Sequence, residues 1–197
     1  MSWLIIALIF LAAFGPLFWL LPSRTDRRLA KMRSRARTLG LRVEVTQLPD
    51  VAAAASARVT AGGRRLEPMV SCAAYHLALP RVAPAAPQWR LLRSRAESSG
   101  PIAGWQWDSN PAGAASYWEQ AAMIVAALPA DALACGAQAS EVACWWRENV
   151  VAENAEKSVE SLHDALAKLA ELQRVTDAAA SISDDGEEPP AGAGDER

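Results

Sequence analysis

The chain has 197 residues, of which 51% are apolar, and a formal net charge of −2. Without its apolar start and polar end it keeps roughly 140 residues, enough for one core that needs no disulfide or metal staples. The near-neutral total hides a split. Up to Arg95, 15 Lys and Arg stand against four acidic residues, and from Ala96 onward five stand against 18. Such a division implies either pairing within the molecule or a basic end addressed to an anionic surface.

In chain order, the first element is an apolar run from Trp3 to Leu21, 19 residues without a charge. As a helix it would span about 28 Å, close to the hydrocarbon thickness of a bilayer. No Lys or Arg precedes Trp3, and Pro22-Ser23-Arg24 follows the run, which argues against a cleaved signal peptide. Residues 1–22 are therefore expected to form a transmembrane anchor. Just after it come Arg24, Arg27, Arg28, Lys31, Arg33, Arg35 and Arg37, opposed only by Asp26. The positive-inside rule then places the N-terminus outside and the rest of this single-pass membrane protein in the cytoplasm.

Residues 23–40 read as a basic juxtamembrane helix. Leu29, Met32, Ala36 and Leu39 form a narrow apolar stripe, and Gly40 is placed to end it. The seven cations are expected to contact anionic lipid headgroups, or to act as a topology signal while the stripe docks on the next domain. No nucleic-acid reading motif accompanies them, so nucleic acid is not an expected partner.

Residues 41–148 alternate between period-two segments and one helical pattern, which predicts an α+β domain with a small, mostly antiparallel sheet and one packed helix. Strands are expected at Leu41–Val45, Met69–Leu79, Gln88–Ser94 and Ile102–Trp107, the last with Trp105 and Trp107 on one face. The helix is expected from Asn110 to about Leu128, stopping before Pro129. Ala132–Arg147 reads as a hairpin whose turn at Ala139-Ser140 sets Cys135 opposite Cys144. Residues 149–180 form the long C-terminal helix, where Val159, Leu162, Leu166 and Leu169 form a stripe that packs on the chain's own domain or docks in a partner's groove. Residues 181–197 are acidic with Pro and Gly, and are expected to be a disordered tail.

Chemistry-bearing motifs are sparse. Cys72, Cys135 and Cys144 lack a zinc spacing and suit buried thiols in a reducing compartment. His163 beside Asp164, and His76 beside Tyr75, have no nucleophile or metal partner nearby in sequence. Of the eight tryptophans, six lie outside the apolar start at core-like positions. Val59-Thr60-Ala61-Gly62-Gly63 is a turn without the rest of a dinucleotide fingerprint. No catalytic, cofactor or metal site is expected.

Leu21-Pro22-Ser23-Arg24 after an uncharged span, and Thr60-Ala61-Gly62-Gly63 after a basic helix, resemble the small single-pass accessory subunit of the bacterial preprotein translocase. The likeness covers the first third of the chain, which is also similar to uncharacterised bacterial inner-membrane proteins of this length. It implies an inner-membrane interaction or assembly module accessory to a membrane protein complex such as the translocation machinery. Two other functions fit the residues: an enzyme or small-ligand binder built from scattered tryptophans and polar groups, and a sensor of anionic lipid.

Overall fold

A computed structural model describes Trp3 and residues 23–51, 53–59, 62–94, 102–109 and 113–184. The first helix, α1 (Arg24–Thr38), starts at a capping box. Asp26 N–H donates to Ser23 Oγ at 3.1 Å while the Ser23 N–H donates back to Asp26 Oδ2 at 3.0 Å. Gly40, at φ +81, turns the chain into strand β1 (Arg42–Pro49), a conformation that costs glycine least. Then follow β2 (Met69–Ala78), β3 (Trp89–Arg93), β4 (Trp105–Ser109), helix α2 (Ala115–Ala126), β5 (Ala132–Ala137), β6 (Glu141–Trp146) and the 30-residue helix α3 (Ala155–Asp184).

The six strands form one antiparallel sheet in the order β1-β2-β6-β5-β3-β4. The β5–β6 hairpin sets Cys135 directly opposite Cys144, the register its short turn predicts. Alternation then decides which side chains meet the helices. Tyr75, Leu91, Cys135, Val142, Cys144 and Trp146 face the helical layer and are almost fully buried. Leu48, Cys72, Leu92 and Ala134 gather in a smaller cluster on the opposite face. Gly136 lets β3 and β5 approach, since a Cβ there would sit 2.8 Å from the Trp89 carbonyl oxygen.

Helix α3 lies against β2, β5 and β6, with α1 on one flank and α2 on the other. Its start differs from the expected one at residue 149. Glu148 takes φ +57 and breaks the chain direction, and a 3₁₀ turn at Ala152–Asn154 precedes the helix. At the other end the helix runs past residue 180 to Asp184. Helix α2 is shorter than expected, starting at Ala115, while residues 110–112 lie outside the described residues.

One expectation is corrected outright. The fold is a six-stranded antiparallel sheet with three helices, and among the described residues no helix is long and apolar enough to cross a membrane. Helix α1 is dense in arginine, α2 has 12 residues, and α3 carries charges along its length. The transmembrane element of the expected fold, and with it the single-pass inner-membrane placement, has no support in this structure. The segment it was assigned to, residues 1–22, lies outside the described residues apart from Trp3.

Candidate functional site

The seven cations of α1 divide into two groups. Four turn inward toward α3 and the segment before it. Arg33 grips the Glu148 carboxylate with two bonds, Nε to Oε1 at 3.0 Å and Nη2 to Oε2 at 2.5 Å. Arg35 donates twice to Glu160 at 3.1 and 2.6 Å, and Lys31 pairs with Glu156 at 3.2 Å. Arg28 donates to the Val150 carbonyl at 2.5 Å and to the Glu148 carbonyl at 3.4 Å. Arg24, Arg27 and Arg37 remain exposed and make no ion pair with any described residue. Thus three cations of the expected lipid-contact set meet acidic residues of the C-terminal half and a fourth meets backbone carbonyls, which leaves Arg24, Arg27 and Arg37 free of described partners to face an external anion.

Glu148 is the centre of this seam. It is 3% exposed and also accepts a hydrogen bond from the Tyr75 hydroxyl at 2.6 Å. Burial, and next the bond to the anionic carboxylate, push the Tyr75 hydroxyl far above its ordinary range. The bond to Glu148 likewise raises the Arg33 guanidinium. The triad keeps the Arg33 guanidinium charged and the Tyr75 hydroxyl neutral. It locks α1 to the sheet.

The expected docking stripe has a different fate. Val159, Leu162, Leu166 and Leu169 are all 0% exposed and pack in the core. They face the chain's own sheet, so they are not available to a partner. A stripe at helical spacing states that a helix buries one face without saying against what.

What α3 does leave open lies on its other flank. Between α2 and α3 runs a groove of about 1030 Å³, mostly apolar in its lining. Tyr117, Met123 and Ile124 contribute from α2; Ala165, Leu172 and Val175 contribute from α3. Met123 is 69% exposed and Val175 49% exposed, so two large apolar side chains stand at its rim in water. The floor is rigid. Tyr117 Oη accepts from Trp89 Nε1 at 2.6 Å and from Gln173 Nε2 at 3.1 Å, and that same amide donates to the Pro87 carbonyl at 2.9 Å. Burial raises the Tyr117 hydroxyl well above its usual range, so the phenol stays neutral. Trp118 packs edge-on against Trp89, Trp107 and Tyr117 beside this network.

A second concavity, about 440 Å³, lies on the opposite sheet face between His76, Arg90, Glu141 and Trp145. His76 Nδ1 lies 2.9 Å from Glu141 Oε1, Arg42 reaches the same carboxylate at 2.9 Å, and Arg90 pairs with Asp108. Arg90 also lies over the Trp145 ring, 5.8 Å from its centroid. The charges here are spent on one another, which describes a solvated sheet face. Among the described residues His163 pairs with its neighbour Asp164, at 3.6 Å.

No protein-family model, curated protein or solved structure matches the chain. The groove between α2 and α3 is therefore assigned on geometry. From the sequence, Met123 was visible only as a large apolar residue off the buried stripe of its helix. Val175 lies beyond the predicted stripe of the C-terminal helix, and no pattern in the sequence marked it as a rim residue.

Proposed function

We propose that the chain is a protein-interaction module that receives an apolar helix of its partner in the groove between α2 and α3. The observation that carries this is the groove itself: an apolar trough between two helices, with Met123 and Val175 exposed at its edge. Helix-in-groove recognition uses such a surface, since a ridge of side chains three and four residues apart fills the trough and leaves water. The two helices are held by buried contacts on their far sides, Ala121 and Val125 for α2 and Leu162 and Leu166 for α3. A partner then meets a preformed surface and pays little ordering cost.

The test is recovery of a bound protein after in-cell crosslinking of the tagged full-length chain, compared with a Met123→Asp variant. A carboxylate at the rim is expected to abolish the crosslinked product while leaving the circular dichroism spectrum and unfolding midpoint unchanged. Equal recovery from both chains would refute the groove as the docking surface.

A further inference from the structure

We propose that the helix received in this groove is α3 of a second copy of the same chain, the two related by a two-fold axis; the proposal rests on the groove reading above. The groove calls for an exposed, helical, apolar stripe, and α3 supplies one. Val175, Ala178 and Ile182 follow one another at spacings of three and four along its last turns, all exposed, with Ile182 75% exposed. At about 1.5 Å per residue the 30 residues of α3 extend about 45 Å. The longest strand beneath it has 10 residues and covers about 33 Å. The helix is longer than any strand it packs on, and its last turns carry the stripe.

Groove and stripe sit on the same element, so one molecule presents both halves of the contact. An isologous arrangement satisfies both at once and closes on itself, whereas a head-to-tail arrangement would leave one groove open. Charge fixes the register. Lys168 and Glu171 line the groove side of α3; Lys168 makes no ion pair with a described residue, while Glu171 is held by Arg174 of its own helix in a pair more than half exposed, which contributes little and can be exchanged for a partner's lysine. An antiparallel crossing with the two-fold axis between positions 168 and 171 sets Lys168 of each copy against Glu171 of the other, giving two equivalent pairs. In that register Val175 of one copy lies beside Met123 and Ile124 of its mate. Each copy then covers the two rim residues that the other leaves in water.

The experiment uses two differently tagged full-length chains expressed together, one carrying Met123→Cys and the other Val175→Cys. The native Cys72, Cys135 and Cys144 are all buried, so mild oxidation reports on the introduced pair, and neither chain can form the bond alone. A disulfide-linked product bearing both tags is expected. Lys168→Glu in both chains should lower its yield about tenfold, and adding Glu171→Lys should restore it. Absence of the mixed product, or a yield indifferent to the charge reversal, would overturn the second-copy proposal. If the mixed product is absent while Met123→Asp still strips a different protein from the chain, the groove reading survives alone. If neither effect is seen, both fall.

Discussion

Helix α3 has two helical neighbours, and it meets them in opposite ways. Against α1 the seam is sealed by charge: Arg33 on Glu148, Arg35 on Glu160 and Lys31 on Glu156, with Met32 and Ala36 wholly buried beneath them. Against α2 the inner residues are equally dry, but the outer edges stay apart and leave an apolar trough. Ion pairs between helices mark the first seam, and exposed apolar edges mark the second. The conspicuous cationic run of this chain therefore belongs mostly to its internal architecture, and the surface open to a partner lies on the other flank of α3.

That contrast can be broken most forcefully at Glu148. Replacing Arg33 by methionine leaves a carboxylate that is 3% exposed with only the Tyr75 hydroxyl and the edge of the solvent to meet it. Removing one partner of such a pair costs roughly 3–5 kcal/mol, read as a fall in the urea midpoint; a loss within the noise would show that the seam is ornamental. Next comes Leu166→Ala, expected to cost about 2–5 kcal/mol because the side chain is fully enclosed between α3 and the sheet. The same substitution at an interface residue would spare stability and weaken binding alone, so an unfolding curve separates the two fates. Gly136→Ala should cost about 1–3 kcal/mol by overpacking, since its new methyl would press on the Trp89 carbonyl at 2.8 Å.

A smaller effect concerns pH. Burial pushes the Cys135 thiol up to about 12 from an ordinary 9.0 and raises Cys144 as well, next to it in register. Above pH 9 the unfolded chain loses these protons while the folded chain keeps them. Stability is therefore complete below pH 9 and declines as pH rises from there toward 12. Tyr75 and Tyr117, both raised by burial, add to the decline above pH 10. Denaturant midpoints between pH 8 and 11 should fall, and Cys135→Ala with Cys144→Ala should flatten the first part of the fall. A midpoint that rises over this range would contradict the burial of both thiols.

Local pattern made part of this architecture legible and left part of it hidden. The Cys135–Cys144 register followed from turn length, and β2 and β3 followed from period-two alternation, because these are short-range constraints. The charge split announced that something basic would meet something acidic, but composition carries no address. Only the fold shows that Arg28, Lys31, Arg33 and Arg35 turn inward while Arg24, Arg27 and Arg37 do not. The stripe of α3 could be read as facing its own domain or a partner for the same reason, and the fold decides for its own domain: periodicity reports that a face is buried, not which surface buries it. Glu148 escaped notice because its role depends on Tyr75 and Arg33, 73 and 115 residues away in the chain.

The account turns on where a partner touches this molecule, and the most direct measurement is site-specific photocrosslinking of the full-length chain. A photoreactive residue would be placed at Met123 in the groove and, separately, at Arg24, also exposed, on α1. The account predicts a discrete, saturable crosslinked protein from position 123 and none from position 24. The reverse pattern, with capture at α1 and silence in the groove, would contradict it.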